Sequence, residues 1–381
     1  MTLSPRRAVL EPPWKIGEPL SINGMASKAR LTGLFTKSRV LTESIRQTSR
    51  FHVQSRVITQ PSAPQKICNR LASTTAPTKS RITPQQPIPI TMAAKEEYIL
   101  TISCPDRPGI VHAVTGFLAQ HNLNIVDSQQ FGDPTSKKFF MRVHFAPADG
   151  SEKHAFSVEQ LRSFFEGTAK GMSMDYELVS VAQKPRVMIM VSKIGHCLND
   201  LLFRQSIKQL GIEVPLIVSN HNDYEALAAT YKIPFHHLPI TPETKTEQEN
   251  KILELVKENN IDLIVLARYM QVLSPSLCSA MSGKIINIHH SFLPSFKGAK
   301  PYHQAYDRGV KIIGATAHFV TSDLDEGPII EQDIVRVDHA LSPKYLTQEG
   351  SNVESKVLAT AVKWVTERRV LLNGHKTVVF N

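Results

Sequence analysis

The chain has 381 residues, 41% of them hydrophobic and 20% charged, a composition typical of an ordinary globular protein. No apolar run approaches the roughly 18–20 residues that a membrane span requires, so we expect no membrane partner. The net charge of +10 is unevenly distributed: residues 1–92 hold 14 Lys+Arg and three Asp+Glu, whereas the remainder holds 30 and 31. The rest of the chain is therefore nearly neutral, which argues against a nucleic-acid partner.

The first segment, residues 1–92, is rich in Ser, Thr, Arg, Lys and Pro and poor in acids. Between Ala26 and Arg56 its basic residues are spaced among apolar ones. This composition is typical of a mitochondrial transit peptide, and the alternative is a disordered tail that carries no address. Three prolines between residues 84 and 89 predict a stiff linker. Translation from an internal start, Met25 or Met92, is a further expectation, and a start at Met92 would give a leaderless cytosolic form.

The second segment, residues 95–182, has the β-α-β-β-α-β order of a ferredoxin-like α+β fold. Periodicity predicts strands at Tyr98–Ser103, Asn122–Asp127, Phe139–Phe145 and Tyr176–Val181. It predicts helices at Ile110–Gln120 and Val158–Lys170. The runs Pro105–Val111 and Asn122–Ile125 resemble the ACT domain. That resemblance implies a sensor that binds an amino-acid effector at a dimer interface, and hence a homo-oligomer. A structural or dimerising module that binds nothing stays open, because fold alone does not give function.

The third segment, residues 185–381, alternates buried strands with helices. Arg186–Ser192 is almost continuously apolar, which is typical of a buried parallel strand. Further strands are predicted at Val214–Asn220, Pro234–Ile240, Asp262–Ala267, Lys284–His290, Ile312–Ala317, Pro328–Val337, Val370–Leu372 and Thr377–Phe380. Helices are predicted at Leu198–Leu210, Asp223–Lys232, Glu243–Asn260, from Pro275, and at Glu354–Arg368. The pattern predicts a doubly wound, Rossmann-like α/β domain.

Polar side chains follow two of these apolar strands. Asn287 and His289 end one strand, and Asp325 lies in the loop after His318 ends another. In an α/β sheet such groups meet in the crevice at the carboxyl edge. An amide, an imidazole and a carboxylate supply an oxyanion donor, an acid–base group and a base for water. Each residue alone is more often structural, as a strand-end hydrogen bond or a turn former. The three together indicate a catalytic site.

The same stretch gives only weak evidence for a metal site or for a nucleophilic serine. His290, His303 and His318 do not show the ligand spacing of a metal site, so we predict no metal. His318 is instead expected to support Asp325 or to pack at its strand end. Ser291 lacks the G-x-S-x-G elbow of a nucleophilic serine.

The four cysteines are far apart in sequence and form no C-x-x-C pair: Cys68, Cys104, Cys197 and Cys278. This spacing favours reduced, buried thiols over a disulfide framework or a zinc ribbon. A catalytic thiol at Cys197, beside His196, stays open, although lone cysteines mostly behave as small hydrophobic residues.

Longer motifs carry a more specific resemblance. The motifs Asn287–His289, Ser291–Pro294, Gly298, His318–Val320 and Leu324–Pro328 resemble the formyltransferase fold that handles 10-formyltetrahydrofolate. The fuller runs Ile285–Pro294 and Gly298–Tyr306, with the ACT-like segment, are similar to the formyltetrahydrofolate deformylase family in particular. The resemblance covers the chain from about Glu97 to Phe380 and leaves only the leader uncovered.

The resemblance implies an activity and a set of site residues. The family's catalytic residues fall on Asn287, His289 and Asp325. Its pterin-binding segment falls on Arg268, Tyr269, Met270, Gln271, Val272 and Leu273, although core packing would explain Met270 and Leu273 equally well. The implied reaction is hydrolysis of 10-formyltetrahydrofolate to formate and tetrahydrofolate in one-carbon and purine metabolism. Folate is the expected small-molecule partner, and no cofactor beyond that substrate is expected.

Two other functions compete with this hypothesis. A transferase of the same fold would pass the formyl group to the amine of a phosphorylated purine precursor, glycinamide ribonucleotide. In the related transferases the first βα turn is rich in small residues and holds a phosphate on backbone N–H groups. Here that turn, Lys193–Asn199, has one glycine, Gly195, and bulky neighbours, although a protonated His196 keeps a weak anion site conceivable. An amino-acid sensor without catalysis is the third option, and the intact catalytic trio argues against it.

Overall fold

The structure, a computed structural model, describes residues 96–148, 156–294 and 301–381. These residues belong to one structural unit that spans Pro87–Asn381. The leader, residues 1–92, and Gly298 lie outside the described residues, so what we predict for them stays a prediction. Within the described part of the chain, no helix is long and apolar enough to cross a membrane.

The first part of the described chain folds into a four-stranded antiparallel sheet with two helices. Its elements are β1 (Tyr98–Pro105), α1 (Ile110–Gln120), β2 (Leu123–Asp133), β3 (Lys138–Pro147), α2 (Val158–Met172) and β4 (Asp175–Ser180). The strand order is β2-β3-β1-β4. Alternate residues of β1, including Tyr98 and Leu100, pack in one cluster with Val114 of α1 and Phe165 of α2, so both helices cover the same face. The predicted ferredoxin-like fold is confirmed, and β2 is longer than its sequence pattern indicated.

A seven-stranded sheet forms the centre of the second part. Its elements are β5 (Val187–Val191), α3 (His196–Ser206), β6 (Ile217–Ser219), α4 (Glu225–Thr230), β7 (Phe235–His237), α5 (Lys245–Glu258), β8 (Leu263–Leu266), α6 (Pro275–Ala280), β9 (Ile285–His289), α7 (Pro301–Asp307), β10 (Ile312–Phe319), β11 (Ile329–Arg336) and α8 (Pro343–Thr366). A hairpin of β12 (Val370–Asn373) and β13 (Lys376–Val379) ends the chain.

The sheet has the order β11-β10-β9-β8-β5-β6-β7, and β5 to β9 run parallel. The chain starts in the middle at β5, builds to one side through β7, and then resumes on the other side at β8. Alternate residues of β5 feed two separate cores: Val187 and Ile189 on one face, Met188 and Met190 on the other. This confirms the doubly wound α/β fold, with β10 and β11 as added antiparallel strands.

Two helices differ from the prediction. The last long helix begins at Pro343 rather than at Glu354, so the predicted start is wrong by about three turns. Gly350 and its polar neighbours obscured the pattern, since glycine weakens helix propensity. Packing explains why a glycine occupies this position, because a side chain at Gly350 would overlap the ring of Tyr302. Helix α7, which carries Tyr302, was not predicted.

The carboxyl-terminal hairpin joins the two parts of the described chain. Phe140 of β3 packs with Val378 and Phe380. The Asn373 side-chain amide donates to a carboxylate oxygen of Asp133 over 2.7 Å. The buried Arg142 guanidinium donates to the main-chain oxygen of residue 367 over 3.3 and 3.2 Å. The ACT-like sheet is therefore fastened to the α/β part at its helix-free face.

Candidate active site

A cavity of about 640 Å³ lies at the carboxyl ends of β8 and β9. This volume is within the roughly 300–1,000 Å³ range of small-molecule sites. The cavity is next to the switch point between β5 and β8, where the order of the strands reverses and where ligands of open α/β sheets bind. The predicted residues Asn287, His289 and Asp325 all line it.

Strand pairing explains how the polar residues come together. Because β10 runs antiparallel to β9, His318 lies opposite Asn287 and Thr316 lies opposite His289. The loop from β10 to β11 then carries Asp325 back over the end of β9. Asp325 has φ of +57°, a left-handed conformation that Asp tolerates better than most residues. Gly327 follows it, and a side chain there would overlap the carbonyl oxygen of Phe319. The shape of this loop therefore depends on the left-handed conformation of Asp325 and on the absence of a side chain at Gly327, two residues later.

Asn287, His289, His318 and Asp325, which we call the reaction cluster, are in direct contact. Nδ1 of His289 lies 3.2 Å from Oδ2 of Asp325, and Nε2 of His318 lies 3.7 Å from Oδ1. Nδ2 of Asn287 lies 3.3 Å from Nε2 of His318. The structure thus brings together the three residues predicted from the sequence, and His318 lies beside both Asp325 and Asn287.

Hydrogen-bond partners indicate which ring nitrogens of His318 and His289 carry a proton. Nδ1 of His318 donates to the carbonyl oxygen of Phe319 over 2.9 Å, which leaves its Nε2 to accept from the Asn287 amide. That amide has a second N–H for a ligand. In His289, Nδ1 carries the proton that faces the Asp325 carboxylate. Its Nε2 is buried and has no hydrogen-bond partner among the described residues. A buried, unpartnered nitrogen is costly unless a ligand completes it.

Asp325 is held in its ionised form. The hydrogen bond from His289 lowers its pKa far below the usual range, although partial burial acts in the opposite direction. The side chain is still 16% exposed, so water can reach it. At neutral pH this site therefore offers a carboxylate, an imidazole nitrogen and an amide N–H to one small volume.

The segment after β8 forms another wall of the cavity. All six residues predicted for the pterin site line it: Arg268, Tyr269, Met270, Gln271, Val272 and Leu273. Met270 and Val272 are 57% and 55% exposed, so they are wall residues rather than core residues. Tyr269 and Leu273 are buried in the core beneath, and the Tyr269 hydroxyl has no hydrogen-bond partner among the described residues.

Ser192, at the end of β5, fastens this segment to the switch point. Its backbone N–H donates to the carbonyl oxygen of Arg268 over 3.2 Å. Its hydroxyl accepts from the backbone N–H of Met270 over 2.9 Å and donates to Oδ1 of Asn220 over 2.7 Å. The wall is thus held by main-chain bonds, which leaves its side chains and remaining main-chain groups for a ligand.

The chain after β9 is held by a buried hydroxyl. Thr316 Oγ1 donates to the carbonyl oxygen of Ser291 and accepts from the backbone N–H of Leu293, over 2.9 and 3.0 Å. It also lies 2.9 Å from Nε2 of Gln332. Ser291 is itself buried, which agrees with the absence of a nucleophilic-serine motif around it.

A second group of polar residues lines the same cavity, and the sequence predicted two of its members, Arg268 and His196, but neither Glu354 nor Tyr302 nor their grouping. His196, Arg268, Tyr302 and Glu354 form what we call the glutamate cluster. The Glu354 side chain is only 1% exposed. Its carboxylate accepts from Nε2 of His196 over 2.8 Å and from the Tyr302 hydroxyl over 2.5 Å. Nε of Arg268 lies 3.4 Å from the same carboxylate. The signal in the sequence was slight: a glutamate on the apolar face of a helix, 158 positions from its histidine partner.

The negative charge of the Glu354 carboxylate faces the positive charge of the Arg268 guanidinium. Burial alone would raise the pKa of Glu354, but the His196 hydrogen bond and the Arg268 charge bring it below its usual value. Burial also raises the pKa of the neighbouring Cys197 thiol, and Glu354 adds to the rise. Cys197 is therefore a protonated core thiol, and its proposed role as a nucleophile is not supported.

Among the described residues, His196, Cys197 and Glu354 are close enough to share a metal ion. Their present bonds favour another arrangement. Glu354 already accepts two hydrogen bonds and faces the Arg268 cation, and Cys197 is protonated. A metal ion here would be repelled by the neighbouring guanidinium. A thiol with a raised pKa is also a poor ligand, because metal ions bind the thiolate.

Comparisons with known proteins agree with the geometry. Residues 185–362 match the formyl transferase family and residues 98–154 match the ACT domain family. Formyltetrahydrofolate deformylase of Corynebacterium sp. (strain P-1) is 51% identical over 288 residues, 76% of this chain and 99% of that protein. The Bacillus subtilis (strain 168) protein of the same name is 47% identical over 74% of this chain and 93% of its own length. A crystal structure of formyltetrahydrofolate deformylase from Burkholderia mallei superimposes with a TM-score of 0.72 at 50% identity, covering 75% of this chain and all of that one.

Proposed function

Because the chain belongs to the formyltetrahydrofolate deformylase family, we propose that it hydrolyses 10-formyltetrahydrofolate to formate and tetrahydrofolate in the cavity described above. The observation that carries this proposal is the reaction cluster: an ionised Asp325, a buried and unpartnered Nε2 of His289, and a free N–H of Asn287 converge on one volume.

Hydrolysis of the N10-formyl group is attack of water on an amide-like carbonyl. A bond forms between the water oxygen and the formyl carbon, and negative charge develops on the formyl oxygen. Nδ2 of Asn287 and a protonated Nε2 of His289 would donate to that oxygen, an interaction that often dominates such catalysis. The bond from the formyl carbon to N10 then breaks, N10 takes a proton, and formate and tetrahydrofolate leave.

Asp325 would act on the attacking water. Its lowered pKa keeps it ionised, so in the resting state it orients water as a hydrogen-bond acceptor. It takes the proton only as the new C–O bond makes the water acidic, and it can then return that proton towards N10.

The wall formed by residues 268–273 suits the folate ring system. Met270 and Val272 offer exposed apolar surface, and main-chain groups of the segment offer the edge contacts that a pterin requires. The N–H of Met270 is not available for such a contact, because it already donates to the Ser192 hydroxyl.

A direct assay tests the proposed function. Purified protein with 10-formyltetrahydrofolate and no acceptor should release formate and tetrahydrofolate in equal amounts. Formate at no more than the uncatalysed rate would contradict the proposal.

We also infer a mitochondrial location for the longest form. This rests on the composition of residues 1–92, which carry 14 Lys+Arg and three Asp+Glu. The leader fused to a fluorescent reporter should enter mitochondria, whereas a protein that starts at Met92 should remain cytosolic and active. A reporter that stays in the cytosol would reject the transit-peptide interpretation and favour a disordered tail.

The ACT part suggests an amino-acid effector and a homo-oligomer, and we propose both. Val126 and Phe131 on the edge strand β2 are 56% and 45% exposed, which supports a second copy as the partner of this edge. Sedimentation of the protein, and formate release with single amino acids added, would test the two proposals. A monomer indifferent to all amino acids would reject them.

A further inference from the structure

Two histidines that are adjacent in sequence, His289 and His290, both line the cavity. Successive residues of a strand point to opposite faces of a sheet, so a strand that continued past His289 would turn the second ring away. Strand β9 ends at His289, and the Thr316 hydroxyl holds the chain that follows, through the carbonyl oxygen of Ser291 and the backbone N–H of Leu293. The centroid of the His290 ring consequently lies 5.1 Å from that of His289.

The ring of His290 has unused hydrogen-bonding capacity. In the same cavity, Nε2 of His196 donates to a carboxylate and Nδ1 of His318 donates to a main-chain carbonyl oxygen. Neither ring nitrogen of His290 has a hydrogen-bond partner within the described ranges. A ligand or a water molecule in the cavity can therefore bond to this ring without displacing a protein group.

Four charged or titratable side chains act on His290. Burial, followed by the positive charges of Arg268 and His289, lowers its pKa to about 4, and the carboxylates of Glu354 and Asp325 oppose this shift only in part. The ring is neutral at pH 7 as a result. A neutral imidazole keeps one nitrogen as a hydrogen-bond acceptor, whereas an imidazolium has none.

We propose that His290 is a further catalytic residue, which accepts one hydrogen of the attacking water while Asp325 accepts the other. The inference rests on the proposed hydrolysis and adds a second group that orients the water.

The argument follows from the number of acceptors. A water molecule is aimed at a carbonyl carbon when both of its hydrogens are held, because its lone pair is then fixed in direction. Nδ2 of Asn287 and Nε2 of His289 are donors to the formyl oxygen in the proposed reaction, so they do not hold these hydrogens. Asp325 supplies one acceptor, 3.2 Å from Nδ1 of His289. The ring of His290, which adjoins the same imidazole, supplies the second.

The proposed step balances without a charge on His290. As the water oxygen bonds to the formyl carbon, the hydrogen that faces Asp325 moves to that carboxylate and then to N10, whose bond to the carbon breaks. The hydrogen that faces His290 stays on the product, formic acid. It passes to solvent when formic acid ionises to formate.

The test measures formate release by His290→Phe, which keeps a planar ring but removes the acceptor nitrogen. We expect kcat to fall about 10- to 100-fold, the order of loss when a reacting group is misplaced. The KM for 10-formyltetrahydrofolate should change by less than about twofold, since the folate contacts remain. His290→Ala should lose activity similarly, and added imidazole should restore part of it, which a purely structural role would not allow. His339→Gln, at an exposed histidine, is the control and should behave as wild type.

Several results would overturn the proposal. One is a folded His290→Phe that keeps the kcat of wild type, and another is a loss that appears in KM rather than in kcat. Activity of His290→Ala that imidazole leaves unchanged would also do so. If neither variant folds, NMR of the histidine ring nitrogens in wild type decides, because a His290 that is charged at pH 7 cannot accept a hydrogen from water. A failure of the hydrolase proposal is distinct from all of these, since wild type itself would then release no formate.

Discussion

The reaction cluster and the glutamate cluster line the same cavity and are built from the same kinds of side chain, but their hydrogen bonding differs. Glu354 is almost fully buried, and both of its oxygens accept hydrogen bonds. In the reaction cluster, Nε2 of His289 is buried without a partner in the described part of the chain, and Asp325 stays in reach of water.

This difference indicates which of the two carboxylates is free to act on a substrate or on water. A polar group that already has its partners gains little from a ligand, whereas a buried group that lacks one gains a hydrogen bond when the substrate arrives. We therefore assign bond making and breaking to the reaction cluster, where the partnerless Nε2 of His289 lies beside the water-accessible Asp325.

The largest expected effect comes from removing the charge in the reaction cluster. Asp325→Asn keeps the size of the side chain but cannot take a proton from water. Formate release should fall by about 10²–10⁴, the usual loss when a general base is removed. Folate binding and the thermal midpoint should change little by comparison. Near-wild-type formate release in a folded variant would show that Asp325 does not have this role.

His290 lies between the two clusters, with its ring 5.1 Å from that of His289 and 6.4 Å from that of Tyr302. Burial, with the charges of Arg268 and His289, lowers its pKa to about 4. Between pH 6.5 and 4 the unfolded chain therefore binds a proton that the folded chain does not. The free energy of unfolding should fall by up to roughly 3 kcal/mol as pH falls through this window. Asp325, whose pKa is also lowered, loses its stabilising contribution only below about pH 4.

Urea unfolding at a series of pH values measures this dependence. His290→Gln should remove a large share of the slope between pH 6.5 and 4, and His339→Gln, at an exposed histidine, is the matched control. An unchanged slope in His290→Gln would mean that the ring between the two clusters is not held neutral.

The smallest of the three expected effects comes from a change in the backbone that positions Asp325 in the reaction cluster. Gly327→Ala places a methyl group against the Phe319 carbonyl oxygen, so the loop must shift and Asp325 with it. We expect a loss of about 1–3 kcal/mol in the free energy of unfolding and a fall in formate release. Gly116→Ala, at a helix position with nothing within 4 Å, should show neither change. Full activity in Gly327→Ala would argue against a loop built around Asp325.

Sequence reasoning found the parts of the site that lie in short, continuous motifs. Asn287 and His289 share one strand, and the turn residues Gly327 and Pro328 marked Asp325 as a loop residue, so their meeting followed from how a sheet presents its carboxyl edge. Fold class followed in the same way, from periodicity in β5 and from the β-α-β-β-α-β order.

Sequence reasoning failed where the contacts are long-range and no motif marks them. The glutamate cluster joins α3, the segment after β8, α7 and α8. Its assembly depends on the start of α8, which local propensity misplaced because Gly350 weakens the helical pattern while tertiary packing against Tyr302 requires it. A turn with one glycine indicated an obstructed anion site, but only the structure shows that a buried carboxylate accepts a hydrogen bond from His196 in that turn.

The most direct test of the central claim, that water is the acceptor, is the fate of the formyl group when an amine competes for it. Purified protein is given 10-formyltetrahydrofolate with a large excess of glycinamide ribonucleotide, and formate and formylated ribonucleotide are measured together. We predict that the formyl group is recovered as formate, at the same rate as without the amine. Formylated ribonucleotide produced at a rate comparable to that of formate would contradict the account and establish a transferase.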